Sequence, residues 1–385
     1  MRQSPPMDID DPRIFPAEAD AAQAPLLDLA AASLAASSTI RAEEIDRALA
    51  AALAQRLYDR DGSFVAELVA AAPSPAIARQ LWRRLEDAWR MASRRGDDAL
   101  GATLFALPLV LVAAGTEGDA EIAGGLHDVA RIAAILRAHR ALGGGETFAL
   151  AAPLVAADAL DLARLPQLLS WQRDAADGAS DPLPLQPTPV AVKAGQEGVH
   201  LRFLAGIALA AGDVDLLDTA DATGWAMPLA QELARQLAGA GHAVLALPRR
   251  AQTPLAALRE GRIAQREIGA QLFASNAIRK LRARAGEPSA VISAHRSAAA
   301  PGGGELRLSL SSPFDAAQPE GFRCPLFAGD RAGDVADVLA ALMRDCRVAD
   351  VRVHAGVHPD RDPATGMTLL FRADVVADPK RSAVH

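Results

Sequence analysis

Cysteine is scarce in this sequence, which has only Cys324 and Cys346 among its 385 residues. Two cysteines cannot build the disulfide framework that stabilises small secreted domains, so we expect a protein of the reducing cytoplasm. The opening stretch MRQSPPMDIDDPRIFP contains no apolar core, which argues against a secretory signal. Composition therefore favours a soluble cytoplasmic protein.

Lysine, asparagine and tyrosine are also rare, with three, one and one residues, whereas 37 of the 40 basic residues are arginine. This bias, together with abundant alanine, is typical of a GC-rich bacterial genome. Arginine abundance alone is therefore no evidence of phosphate binding. The net charge of −7 argues against a protein whose whole surface coats nucleic acid.

One uncharged run is long enough to be tested as a membrane span. Residues 99–116, ALGATLFALPLVLVAAGT, reach the lower bound of about 18 residues for a transmembrane helix. Pro108 interrupts the run, and Asp98 and Glu117 flank it. We expect a buried core element here and no stable membrane insertion.

Familiar catalytic motifs are missing from the sequence. It has no GxxxxGK[ST] phosphate loop, GxGxxG, HExxH, CxxC or GxSxG pattern, so no cofactor is indicated. Neither cysteine has a histidine close to it in sequence, and each is predicted to be a small buried residue. Whether the protein is an enzyme stays open at this point.

The periodicity of apolar residues predicts an α + α/β protein. Residues 1–22 form a polar tail, and 23–175 show the three- and four-residue spacing of a helical domain. Four prolines mark a linker over 176–195. Residues 196–376 predict a mixed α/β domain with about seven strands and three helices, and 377–385 form a second tail. We find no internal repeat.

Particular stretches of the C-terminal region carry this prediction. Residues 189–210 are predicted to form a hairpin in which Val199, Leu201 and Phe203 share one face. A helix over about 225–240 precedes a buried strand over 242–248. Strands over 289–295 and 305–311 are expected to be joined by a glycine-rich turn, before a helix over 331–346.

The best candidate site is a basic segment between Arg249 and Arg296. It holds ten basic and three acidic side chains, a net charge of +7 in an acidic chain. On a helix with 100° per residue, several of its side chains fall within an arc of about 60°. This basic stripe consists of Arg259, Arg262, Arg266, Lys280, Arg284 and the aromatic Phe273.

The basic stripe requires one continuous helix, although Gly261 and Gly269 each cost about 1 kcal/mol in a helix interior. An acidic partner is indicated, and three are open: the chain's own acidic domain, another subunit of a homo-oligomer, or nucleic acid. We therefore expect a non-enzymatic binding, regulatory or scaffold protein.

Histidines and aspartates between 351 and 367 suggest a second, weaker candidate. His354, His358, Asp360 and Asp362 could bind a metal, but DPATG is a strong turn signal. Val351 and Val353 are predicted to face the core, and a return strand is expected over 367–374. We therefore expect a hairpin with a solvated tip in preference to a metal site.

Four aspartates ahead of a predicted helix support the alternative function. Asp213, Asp215, Asp218 and Asp221 could hold Mg²⁺ beside a substrate phosphate, or Asp221 could simply cap the helix. The alternative is thus a metal-assisted enzyme acting on a phosphorylated or otherwise anionic substrate, with arginines binding the anion.

Overall fold

A computed structural model describes most of the chain. The described residues are 19–93, 100–113, 117–142, 147–178, 183–195, 197–211, 224–239, 241–248, 251–297, 303–312 and 315–358. Most of both predicted tails, the predicted return strand and the four aspartates from Asp213 to Asp221 lie outside these residues.

Four helices occupy residues 24–93, as the apolar spacing predicts. They are α1 (Ala24–Leu34), α2 (Thr39–Tyr58), α3 (Gly62–Ala70) and α4 (Pro75–Ser93). The Ser38 hydroxyl accepts the Arg41 N–H at 3.3 Å and caps α2, and Ser74 caps α4 in the same way. Leu49 and Leu53 lie on the buried face of α2.

The first sheet has four strands in the order β3-β5-β1-β6, and all neighbours are antiparallel. Its strands are β1 (Leu100–Ala113), β3 (Thr147–Leu150), β5 (Gly198–Ala211) and β6 (His242–Ala246). A separate pair joins β2 (Ala120–Ile122) to β4 (Val190–Val192). The accompanying helices are α5 (Val129–Ala138), α6 (Leu165–Ala176) and α7 (Ala226–Gln236), with short 3-10 turns at Ala157–Leu160 and Leu162–Arg164.

The described part of the uncharged run, residues 100–113, forms β1, and its prediction as a buried core element is confirmed. Phe105, Leu107 and Leu109 are fully buried in the core around the first sheet. Within the described part of the chain, no helix combines the length and the apolar character required to span a bilayer.

The second sheet has the order β10-β7-β8-β9. Its strands are β7 (Ser289–Arg296), β8 (Gly304–Ser312), β9 (Asp315–Pro325) and β10 (Asp350–His358), preceded by α8 (Pro254–Ala285) and interrupted by α9 (Ala332–Asp345). Strands β7, β8 and β9 form an antiparallel meander, and β10 lies parallel to β7. Apolar residues of α8 and α9 form a core with Leu306, Leu308 and Leu310 of β8.

Three details of the predicted fold are wrong. Residues 23–175 are not all helical, because β1, β2 and β3 lie there. The strands after residue 196 do not form one sheet, since β5 and β6 pair with β1 instead of with β7–β10. The predicted hairpin over 189–210 does not form either, because β4 pairs with β2 and β5 with β1. Helices α7, α8 and α9 lie where helices were expected.

The chain forms two compact units that alternate along the sequence. The first takes the described residues within Ser37–Ala66 and Arg83–Gln265, and it holds the first sheet. The second takes the described residues within Met1–Ala36, Glu67–Trp82 and Arg266–His385, and it holds the second sheet. The described residues of the predicted linker over 176–195 belong to the first unit.

Candidate partner-binding site on the long helix

The basic stripe lies on α8, which runs continuously from Pro254 to Ala285. The continuous helix that the stripe requires is therefore present. Gly261 is buried, and a Cβ atom there would lie 2.8 Å from the Leu201 side chain and 3.1 Å from the Phe203 side chain. The glycine thus permits a close approach between α8 and the first sheet, and it does not end the helix.

Arg266 is the cation of the stripe whose surroundings are described most fully. Its guanidinium bonds the Asp330 carboxylate and lies 5.1 Å from the centre of the Phe327 ring. The Asp330 carboxylate also accepts the Phe327 N–H at 2.9 Å. Only 9% of the Arg266 side chain is exposed. This arginine therefore fixes the turn between β9 and α9.

A second arginine holds the same turn from α4. Arg79 donates to the backbone carbonyl of Gly329 at 2.7 Å. Gly329 has a φ of +95°, which favours glycine, and a Cβ atom there would lie 3.0 Å from the Arg79 side chain. Within the second unit, this hydrogen bond thus connects two residues that lie 250 positions apart in sequence.

Two further stripe cations also face acidic residues. Arg262 lies 3.7 Å from the Asp161 carboxylate in the first unit, and Lys280 lies 3.9 Å from Glu320 in the second. Arg259 is exposed, and within the described residues it contacts no carboxylate. Arg284 lies in the last turn of α8, where only the backbone is described.

Phe273 is not free to stack on a nucleic-acid base. Its ring stacks on that of Phe322, with the centroids 5.5 Å apart and the planes inclined by 26°. Both side chains pack against the core of the second unit. The aromatic member of the stripe is therefore partly buried and already stacked on another ring.

Thr253, the residue before α8, caps the N-terminus of this helix and is hydrogen-bonded to a carboxylate of α4. Thr253 Oγ1 accepts the Ala256 N–H at 3.2 Å and donates to Glu86 Oε2 at 2.7 Å. Burial raises the pKa of Glu86, although the Thr253 hydrogen bond and the charge of Arg90 act in the opposite direction.

The raised pKa of Glu86 predicts a specific pH dependence of stability. Below the pKa that Glu86 has in the unfolded chain, its carboxyl group is protonated in both the folded and the unfolded state. Its contribution to the free energy of unfolding is fully present there and is lost as the pH rises through the folded-state pKa. We expect the stability of the wild type relative to Glu86→Gln to fall as the pH rises from 4.5, the ordinary pKa of the group, through its raised folded-state pKa. Urea unfolding of both proteins measures this difference, and a value that rises with pH would contradict the assignment.

The histidine-rich stretch is only partly described. His354 lies on β10 and is half-buried, while His358 ends the strand with only its backbone described. Asp360 and Asp362 lie outside the described residues. Val353 is 43% exposed, so its predicted core position is wrong. Val351, on the same face two residues earlier, packs against the core of the second unit, so the core extends along this face only as far as Val351.

No metal site emerges from the described part of the chain. Within it, no three His, Cys, Asp or Glu side chains come close enough to hold an ion together. Asp213, Asp215, Asp218 and Asp221 are not among the residues searched.

Neither cysteine forms a disulfide, and Cys324 is buried on β9. Burial raises the pKa of its thiol to about 12, despite the opposing charge of Arg266. The thiol therefore stays protonated at neutral pH, as expected for a small core residue.

A polar cluster on the second sheet escaped the sequence analysis. Arg307 is fully buried, and its Nε donates to Glu305 at 2.6 Å. Arg323 lies 3.0 Å from the same carboxylate oxygen. Ser293 and His295 of β7 are hydrogen-bonded at 2.9 Å, and both are buried.

The signal for this cluster is visible in ELRLSLS. Glu305 and Arg307 alternate there with Leu306 and Leu308, which places two charges on one strand face. Burial leaves the Ser293 hydroxyl and the His295 imidazole with almost no solvent access. We therefore assign the cluster to stability.

The site can thus be described from its geometry alone, since comparison with family models, with curated proteins and with solved structures finds no match for this chain.

Proposed function

We propose that the protein is a non-enzymatic binding or scaffold protein of the cytoplasm, in which the basic stripe of α8 acts as an internal brace. One observation carries the proposal: Arg262, Arg266 and Lys280 each face a carboxylate of the same chain. The sequence leaves three acidic partners open: the chain's own acidic domain, another subunit and nucleic acid. These contacts support the first of them.

The electrostatic argument rests mainly on Arg266. Its guanidinium would have to leave Asp330 and the Phe327 ring before it could bind a phosphate. Breaking such an enclosed pair leaves the carboxylate without its counter-charge, which is strongly unfavourable. A phosphate ligand would therefore have to compete with an intramolecular partner already in place.

Two further observations support the proposal more weakly. Phe273 is stacked inside the second unit, so the stripe lacks the free aromatic platform that single-stranded nucleic acids use. Both cysteines are free, which suits a reducing compartment. None of the described residues favours the metal-assisted enzyme.

A comparison of Arg266→Met with Arg259→Met tests the internal brace. We expect Arg266→Met to lower the free energy of unfolding by about 2–4 kcal/mol, because Asp330 loses its partner. Arg259 is exposed and serves as the matched control, with an expected change within about 0.5 kcal/mol. Urea unfolding provides both values.

A binding assay with a labelled mixed-sequence oligonucleotide tests the competing partner, nucleic acid. We expect no retention by the wild type at low salt. Retention that weakens with salt at a log–log slope of several units, and that Arg259→Glu reduces, would contradict the proposal. The stripe would then be a phosphate-binding surface.

A further inference from the structure

Strand β6 is an edge strand of the first sheet, and it contains no acidic residue, lysine or arginine. Such an edge pairs readily with another strand unless charge, proline or another segment protects it. The other three edge strands of the two four-stranded sheets are protected. Strands β9 and β10 carry charged residues, and on β3 the Phe148 carbonyl accepts a hydrogen bond from Arg137 at 3.5 Å. Within the described residues, the edge of β6 has neither kind of protection.

The main-chain groups on the outer side of β6 can be identified from its pairing with β1. Alternate residues of β1 direct their main-chain groups to β5 and to β6. Ala106 is bonded to a residue just beyond β6, so the even-numbered residues of β1 face β6. Val110 is paired with Leu245, which directs Leu245 to β1, and Val244 and Ala246 to the outer edge. In the part of the chain that the structure describes, the main-chain groups of Val244 and Ala246 have no hydrogen-bond partner.

One flank of α7, beside this edge, is also uncharged and exposed. The opposite flank of α7 faces α5, because Arg131 donates to Glu232 at 2.8 Å. Helix α5 lies near β3 at the far edge of the sheet, whereas α7 packs on β6. The flank of α7 that faces away from α5 therefore lies on the outer side of β6. Met227 and Ala234 occupy this flank, about 20° apart around the helix and about 140–160° from Glu232. Both are exposed, Met227 by 68%.

The edge of β6 is complementary to itself when a second copy is related by a twofold axis at Val244. In this antiparallel register Val244 pairs with the same residue of the other copy, and Ala246 lies opposite His242. Ala243 then lies directly opposite Leu245 of the other copy, so that a small side chain meets a large one. Both side chains are exposed, and they lie on the face of the sheet opposite to Val244 and α7. The two four-stranded sheets thus become one antiparallel sheet.

A second copy fits this surface better than an isolated peptide strand does. An added peptide would satisfy the main-chain groups of β6, but it would leave Met227 and Ala234 of α7 uncovered. The twofold axis places two α7 helices side by side on the same face of the joined sheet, with these flanks turned towards each other. Alanine at the contact allows two helices to approach to about 8–10 Å. A second copy therefore covers both the strand edge and the helix flank.

We propose that the edge of β6, with the adjoining flank of α7, is the interface of a homodimer in which the β6 strands of two copies pair antiparallel. The inference goes beyond the proposed function and does not depend on the role of the basic stripe. The contact is made by main-chain groups and by the side chains of Ala243, Leu245, Met227 and Ala234, none of which is charged. Added salt therefore does not weaken the dimer.

A charge placed on the edge tests the interface. Leu245→Lys introduces two ammonium groups into the symmetric contact, and we expect dimerisation at least about tenfold weaker. Val353→Lys is the matched control, because Val353 is also 43% exposed on an edge strand, β10. Sedimentation velocity of the full chain, at low and at high salt, measures dimerisation, and circular dichroism verifies folding. A wild type that stays monomeric at high concentration overturns the proposal and leaves the edge to a different protein or to solvent. A dimer that Leu245→Lys does not weaken assigns dimerisation to another surface.

Cross-linking of two cysteine variants tests the register. Ala243 and Leu245 of the other copy form a non-hydrogen-bonded pair with Cα atoms about 4.5 Å apart, which a disulfide can bridge. Ala243→Cys and Leu245→Cys are made in a Cys346→Ser background, because Cys346 is only half-buried. We expect an equimolar mixture to give a covalent heterodimer with oxidised glutathione. Each variant alone gives little, since equal residues are offset by about 7 Å along the strands. A mixture of Leu245→Cys with Ala191→Cys, exposed on β4, is the control. Heterodimer no more abundant than in this control overturns the pairing of β6 with β6.

Discussion

Glu305→Gln is expected to lower the free energy of unfolding by about 3–5 kcal/mol, because it removes the negative charge beside Arg307. Arg307 is fully buried on β8, so its guanidinium cannot turn to solvent when this charge is lost. Arg323 would lose the same counter-charge, but it is half exposed and suffers less.

Urea unfolding with two companion variants isolates the buried charge. Glu320→Gln is the control, since Glu320 is one-third exposed and lies 3.9 Å from Lys280, and we expect a loss below about 1 kcal/mol. The double variant Glu305→Gln/Arg307→Met removes both charges and should be less destabilised than the sum of its single changes. A loss below about 1 kcal/mol for Glu305→Gln would mean that other groups hold the Arg307 charge.

Replacing the two glycines of α8 is expected to change stability in opposite directions. Gly261→Leu should lower the free energy of unfolding by about 3 kcal/mol, because Leu201, Phe203 and Pro108 already occupy the space around its Cα. At Gly269 an added Cβ meets only the Phe322 ring, at an ordinary 3.4 Å. Gly269→Ala should therefore stabilise the protein by up to about 1 kcal/mol through its higher helix propensity.

The contrast between the glycines is measurable by thermal and urea unfolding. Gly261→Ala is the intermediate case, in which the gain in helix propensity opposes a Cβ contact of 2.8 Å. Equal stabilisation by Gly261→Ala and Gly269→Ala would show that α8 does not approach the first sheet closely at Gly261.

Local elements could be predicted from the sequence where their side-chain pattern is unambiguous. The stripe of Leu49 and Leu53 predicts α2, and the alternation in ELRLSLS predicts β8. The pattern of β1 was ambiguous, because a run in which nearly every residue is apolar has neither helical nor strand periodicity. Its pairing with β5 joins residues about a hundred positions apart, and no local pattern contains that information.

The candidate site could be predicted only in part, because local sequence patterns place residues on a helix but do not show which distant residues they contact. The spacing of Arg262, Arg266 and Lys280 requires one helix that carries all three, and α8 is continuous over these positions. Which carboxylates meet that face depends on the tertiary fold, since Asp161 and Asp330 lie far from α8 in sequence.

The hydrogen bond between Arg79 and Gly329 has a consequence for synthesis of the chain. At about 5–20 residues per second, a ribosome needs roughly 10–50 s to add the 250 residues that separate these two positions. During that time α1 and part of α4 are already synthesised, whereas the later residues of the second unit are not. The apolar faces of these helices therefore remain uncovered. The first unit can complete its sheet earlier, once β6 has emerged. We expect it to fold first, so that nascent chains truncated before β7 expose the N-terminal helices to chaperones.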